Sequence, residues 1–300
     1  MSIASEIYRI KSNIANAYDV CYRKGADMPS PENQNSDHLS NCIYSIPYEV
    51  GGIPREVSYD GTYSLPQNWY TFTLPNNATS IGDHALDGAF AGSERIQCLN
   101  INNVVNIPGA YALSNVCKGL PYLQYFDAPN LETVSGGSAL YNAFMDTDLQ
   151  SAYFPKLKSV TGNGTFTYAF SSCPLSDVYF PKLETINGSA TFNRAFGVNE
   201  GETNYLHNVE FPALRILKGT APLRYLFAYR TGLQTVSFPS LNSDSFGSLK
   251  TQFDNMLIGI DGCTVHFPSN LQSVIGTWAS VQNGFGGTNT IVSFDLDPTS

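Results

Sequence analysis

The sequence predicts a repeat solenoid, a stack of short β-strands with short helical or irregular segments on the other side, preceded by a small α-helical module. Three observations carry that prediction. First, a Phe-Pro pair recurs as Phe154-Pro155, Phe180-Pro181, Phe211-Pro212, Phe238-Pro239 and Phe267-Pro268, with proline-to-proline steps of 26, 31, 27 and 29 residues. Pro129, Asn102 and Pro75 extend the same slot backwards at steps of 26, 27 and 27. Second, each slot closes a frame of the form L-x-x-V-x-F-P-x-L-x-x-I, as in Leu175-Ser-Asp-Val178-Tyr-Phe180-Pro181-Lys-Leu183-Glu-Thr-Ile186. Third, a further apolar marker follows each frame, the pairs Ala89-Phe90, Ala143-Phe144, Ala169-Phe170 and Ala195-Phe196, with Val116-Cys117, Leu226-Phe227, Gln252-Phe253 and Gly284-Phe285 as variants. A unit of about 27 residues cannot bury its own apolar face, so eight such slots imply coils stacked side by side.

Along the chain, the first element is helical. Ile3, Ile7, Ile10, Ile14, Ala17 and Cys21 are spaced 4, 3, 4, 3, 4, the seam of a heptad pattern. Lys24-Gly25 ends this helix, because glycine supplies its C-terminal turn. Ser36 or Asp37 then caps a second short helix carrying Leu39, Cys42, Ile43 and Ile46, stopped by Pro47. Residues 1–48 are therefore expected either to cap the open end of the solenoid or, because Ile at both seam positions favours trimers, to form a homotrimeric stalk through Ile3, Ile7, Ile10 and Ile14. Residues 49–66 read as a linker and 67–300 as about eight repeats.

Within a repeat, Val and Phe alternate with polar residues in L-x-x-V-x-F, the period of a strand with one buried face. Proline follows where its missing N–H does little harm to a ladder. The Ala-Phe marker suits a short helix or helical turn on the opposite side. Gly162-Asn-Gly164 and Gly284-Phe-Gly-Gly287 read as turns in which glycine supplies positive φ. Trp69 and Trp278 are expected to close the two ends.

The repeat resembles the BspA-like, or Treponema-type, leucine-rich repeats, whose unit reads I-x-I-P-x-x-V-x-x-I-G-x-x-A-F-x-x-C. The residues that carry the resemblance are Leu74-Pro75 with Ile81-Gly82-Asp83-His-Ala85 and Ala89-Phe90, and Phe170-Ser-Ser-Cys173-Pro-Leu175-Ser-Asp-Val178-Tyr-Phe180-Pro181. It implies a leucine-rich-repeat horseshoe or ribbon used for binding or adhesion. The N-terminal pattern Ile7-Tyr-Arg-Ile10-Lys11-Ser-Asn-Ile14, Lys24-Gly25, Pro29, Asn35-Ser36-Asp37-His-Leu39 and Ile43-Tyr-Ser-Ile46 is similar to segments of bacteriophage tail and tail-fibre-associated proteins. That second resemblance implies attachment to tail proteins, with the repeats displayed outward.

Composition narrows the partners. Charged residues make up 14 % of the chain, aromatics 13 % and hydrophobics 42 %, and the net charge is −9. Charge this sparse leaves a surface of Ser, Thr, Asn, Gln and Tyr, which suits proteins that meet sugars or other proteins outside the cell. A net negative chain without a basic stripe is not expected to take nucleic acid. No apolar run approaches the length of a membrane span, so no membrane insertion is expected. No signal peptide is visible at the start. Six cysteines without a C-x-x-C pair are expected to be reduced thiols in core slots.

The strand residues between and before the apolar ones define two outward ladders. One runs Asn100, Asp127, Tyr153, Tyr179, Glu210, Ser237, His266; the other runs Cys98, Tyr125, Ser151, Asp177, Asn208, Thr235, Thr264. Candidate ligand residues are Tyr125, Asp127, Tyr153, Asp177, Tyr179 and Glu210, because adjacent tyrosines and carboxylates stack on sugar rings and accept their hydroxyl protons, or anchor a protein. Tyrosine also fits a pleated surface for purely structural reasons. Four histidines without H-E-x-x-H, and no G-x-S-x-G, Walker loop or G-x-G-x-x-G, leave neither a metal site nor a nucleophile. A non-enzymatic recognition protein is expected, on a virion tail or a cell surface, without cofactor or metal, taking a surface glycan or protein. A secreted adhesin for host protein and a ligand-free spacer are the alternatives.

Overall fold

The computed structural model describes residues 71–75, 77–93, 96–202, 205–246, 252–275 and 284–297. The expected helical module of 1–48, the linker of 49–66, Trp69 and Trp278 all lie outside the described residues. In chain order the strands are β1 (Thr71–Thr73), β2 (Cys98–Asn100), β3 (Asn106–Ile107), β4 (Tyr125–Asp127), β5 (Thr133–Val134), β6 (Ser151–Tyr153), β7 (Ser159–Val160), β8 (Asp177–Tyr179), β9 (Thr185–Asn187), β10 (Asn208–Glu210), β11 (Ile216–Lys218), β12 (Thr235–Ser237), β13 (Thr264–Pro268) and β14 (Ile291–Leu296).

Each coil contributes its L-x-x-V-x-F strand to one side. β1, β2 and β4 form a three-stranded parallel sheet, and β6, β8, β10, β12, β13 and β14 continue that side as a six-stranded one. β4 and β6 remain neighbours across the gap between the two sheets. The predicted register holds residue for residue: Tyr153 opposite Tyr179, Glu210 opposite Tyr179, and Val209, Val236 and Val265 in line.

Phe-Pro-x-Leu is a β-turn. The Leu183, Leu214 and Leu241 amides donate to the Phe180, Phe211 and Phe238 carbonyls at 3.3, 3.3 and 3.4 Å. That places proline at the second turn position, where its fixed φ is an advantage. The preceding phenylalanine amide still bonds the next coil, as Phe154 N–H does to Tyr179 O at 3.0 Å. The ladder therefore ends one residue before the ring that could not join it.

Past this corner the chain forms a second sheet that the sequence reading did not resolve. β3, β5, β7, β9 and β11 pair in parallel, with Ile107, Val134, Val160, Ile186 and Leu217 buried beneath. The third side takes the irregular one of the two expected forms. It is a run of turns in which every fourth residue takes the left-handed conformation: His84, Gly88, Gly92; Tyr111, Asn115, Gly119; Ser138, Asn142, Asp146; Gly164, Tyr168, Ser172; Ala221, Tyr225, Tyr229. Alternate amides serve different partners. His84, Leu86, Gly88 and Phe90 donate to Ala110, Ala112, Ser114 and Val116 of the next coil, whereas Ala85, Asp87, Ala89 and Ala91 donate three residues back. A helix would direct all of these bonds along its own axis. Sharing them between coil and neighbour satisfies the backbone of a single-layer wall.

The interior is a set of ring columns. Phe154, Phe180, Phe211, Phe238 and Phe267 stack at successive centroid distances of 4.9, 6.2, 5.5 and 5.6 Å. Phe144, Phe170, Phe196 and Phe227 form a second column at 5.1, 5.8 and 5.9 Å. In the first coils the sizes differ. Phe72, Leu99 and Phe126 stand at the Val position, with Leu74, Ile101 and Ala128 where the later coils have Phe, and Phe126 lies 5.8 Å from Phe154. Phe253 belongs to neither column. The Leu223 amide bonds Gln252 O as Phe192 bonds Pro222 O and Phe166 bonds Thr191 O, so Phe253 continues the Phe166 and Phe192 column, and Met256-Leu257 is the true counterpart of Leu226-Phe227. The repeat there is longer than the sequence alignment assumed.

At the corner between the second sheet and the turn wall stands a glycine column, Gly82, Gly109, Gly136, Gly162, Gly188 and Gly219. A Cβ on Gly136 would sit 1.8 Å from Gly109 O, and one on Gly162 would sit 2.2 Å from Gly136 O. Gly162 therefore serves close backbone approach, and only Gly164 of that Gly-Asn-Gly has positive φ, at 62°.

Candidate ligand-binding face

Short three-residue strands make the outward residues regular. Each central residue is buried and its two neighbours look out, so β4, β6, β8 and β10 all show exposed, buried, exposed. Adjacent coils are about 4.8 Å apart, and the six predicted residues fall on one continuous surface. Asp127, Tyr153, Tyr179 and Glu210 occupy one row, and Tyr125 and Asp177 the other, with Ser151 and Asn208. Toward the C-terminal end the face becomes smaller and half-buried, through Thr235, Ser237, Thr264 and His266.

Tyr125, Tyr153 and Tyr179 are 65, 47 and 48 % exposed, among the most exposed large apolar side chains described. The Tyr153 and Tyr179 rings lie parallel, 5.1 Å apart with 6° between planes. Partial burial raises the Asp127 carboxyl above its ordinary value. Asp177 accepts the Ser176 hydroxyl at 2.6 Å. Farther along, His266 Nδ1 meets Asp295 at 2.9 Å, and that hydrogen bond holds the Asp295 carboxyl below its usual range. Ile3, Ile7, Ile10 and Ile14 lie outside the described residues.

The cysteines described are free. Cys117, Cys173 and Cys263 are buried in the core, and burial pushes Cys173 up to about 11 and Cys263 to about 12. Cys98 differs, standing half-buried on the outward row, with burial and then Asp127 raising it to about 11.

Two features escaped sequence reasoning. On the turn wall, the Arg194 guanidinium lies 5.9 Å from the Tyr168 ring centre and 6.0 Å from that of Tyr229, and it donates to Val198 O at 2.9 Å. The 26-residue step from Tyr168 to Arg194, equal to the coil period, is the signal that aligns those two side chains. Arg230 is fully buried. Its Nε donates to Phe196 O at 2.6 Å and its Nη2 to Cys173 O at 2.8 Å. Burial, opposed by Cys173 and Glu202, lowers its pKa to about 10, which leaves it charged at neutral pH. Its signal was the irregular step across residues 199–205.

Among the described residues no group of three or more His, Cys, Asp or Glu is placed to hold a metal, and no helix is long and apolar enough to cross a membrane. Fold and face together define a parallel-strand repeat solenoid with one continuous outward strand face. Residues 59–199 match the family model described as BspA type Leucine rich repeat region, in six copies, and beyond that match β10, β12, β13 and β14 extend the same strand stack. Repeats of this type are generally non-catalytic and commonly surface-exposed. No curated protein matches the chain.

Proposed function

We propose that the protein is a recognition module that binds a cell-surface ligand, glycan or protein, through the outward strand face centred on Tyr125, Asp127, Tyr153, Asp177, Tyr179 and Glu210. The observation that carries this reading is the exposure of three tyrosines on consecutive coils of one strand face, since exposed aromatic surface of this kind marks interaction sites. Residues 1–48 provide attachment in this reading, with Ile3, Ile7, Ile10 and Ile14 as a trimer seam. The setting is a phage or prophage tail or a bacterial surface, and the neighbouring genes distinguish the two.

The test is binding of the full chain to whole cells, a glycan array and a panel of surface proteins, with the Tyr153→Ala/Tyr179→Ala variant alongside. Binding that the variant loses supports the reading. Binding that the variant retains, or no target at all for the chain as an oligomer, overturns it and leaves a structural spacer. Mass in solution reads the trimer directly.

A further inference from the structure

The chemistry of the strand face selects among ligands, and an inference about it rests on the recognition reading above. Between Thr71 and Ser293 the two outward rows contain three carboxylates (Asp127, Asp177 and Glu210), three exposed tyrosines, and neither lysine nor arginine. Among the described residues none of these carboxylates has an ion-pair partner. The nearest lysines stand past the corner, outside both rows: Lys156 Nζ donates to Asn130 Oδ1 at 2.6 Å, Lys158 Nζ meets Glu132 at 2.8 Å, and Lys182 follows Pro181 at the same turn position as Lys156.

The tyrosine pair argues the same way. A sugar ring needs a flat aromatic platform, but Tyr153 and Tyr179 lie face to face and turn edges and hydroxyls outward. The free face at each end of the pair looks along the row, toward Asp127 on one side and Glu210 on the other. A π face beside a carboxylate favours a cation twice over, by the ring quadrupole and by charge.

We propose that this face docks a cationic polypeptide segment, an extended stretch carrying Lys or Arg. Spacing sharpens the proposal. Asp127 and Glu210 are three coil steps apart, about 14 Å along the stack. An extended strand places residues i and i+4 on the same side about 13.6 Å apart. Cations four residues apart in a segment lying along the stack meet both carboxylates.

The experiment uses the full chain and three probes: a capped peptide with arginine at every fourth position in a Ser/Thr background, its glutamate counterpart, and a panel of neutral oligosaccharides. The arginine peptide should bind, weaken steeply with added salt, and lose about tenfold in affinity in Asp127→Asn/Asp177→Asn/Glu210→Gln. An equal loss of charge on other faces, in Asp148→Asn/Glu184→Gln/Glu200→Gln, should leave binding within about twofold. Equal losses in both variants would show that the peptide responds only to net charge, and the proposal fails. Absence of peptide binding also overturns it. Neutral oligosaccharide binding that is lost in Tyr153→Ala/Tyr179→Ala but retained in the carboxylate variant sinks the cationic proposal and keeps the recognition reading. Indifference of every probe to the tyrosines overturns both.

Discussion

The coils from Gly109 to Phe196 and the expanded coil that follows solve the same problem in different ways. In the regular coils, residues about 26 or 27 apart repeat, and the position three after the column phenylalanine is a small buried side chain. Thr147 Oγ1 and Cys173 Sγ both donate to Phe144 O, at 2.8 and 3.0 Å. In the next coil that position is Asn199, which turns outward to Ser172 and Glu202 as the chain lengthens. The interior place it would fill is taken from the following coil by Arg230, which reaches Phe196 O and, a further coil back, Cys173 O. A change of period leaves backbone carbonyls without partners, and a long cation is one of the few side chains able to span the gap. Two strategies follow: repetition where the period holds, and one buried guanidinium where it breaks.

The largest effect should come from the glycine column in the regular coils. Gly136→Ala is expected to cost about 4 kcal/mol in chemical denaturation followed by circular dichroism, because its Cβ meets backbone that cannot yield. Gly82→Ala is the control. Among the described residues its Cβ meets nothing within 4 Å, and the cost should stay within about 0.5 kcal/mol.

Arg230→Met should come next, at about 3 kcal/mol, from two orphaned carbonyls and lost packing. Arg230→Lys should recover little, because one ammonium cannot reproduce the fork that serves two coils. A cost below about 1 kcal/mol for Arg230→Met would mean that the expanded coil is held by other contacts. Phe180→Leu in the regular column should cost about 1 kcal/mol, since its ring stacks on Phe154 and its replacement keeps much of the volume.

The smallest effect is electrostatic and lies on the second sheet. The Lys158 ammonium bonded to Glu132 holds that carboxyl below its ordinary value. Both side chains are exposed, so the stabilisation is slight. Its sign is fixed nonetheless: it is present above the unfolded glutamate value and lost as pH falls through the depressed one. Lys158→Met should move the Glu132 midpoint upward in an NMR titration, and an unmoved midpoint would remove the ion pair from the account.

The strand face was legible in advance because a period of two leaves no freedom. Once Val178 and Phe180 face inward, Tyr179 must face out, and the coil period puts it beside Tyr153. The turn wall was not legible. Its apolar spacing near Ala169-Phe170 also fits a helix, and only the bonds to neighbouring coils favour the left-handed turns seen at Tyr168 and Ser172. Phe253 was misassigned for a related reason, since coils of unequal length admit more than one alignment until Leu223 is seen to bond Gln252.

The sequence by itself determined the stacking, the sheet register and which tyrosines and carboxylates share a surface, because local alternation and a repeated length fix those without reference to anything distant. Tertiary structure decided the glycine contacts, the placement of Arg230 and the face-to-face tyrosine pair. Each depends on how closely separate coils approach, and that distance is set by packing across the stack rather than by any one segment of chain.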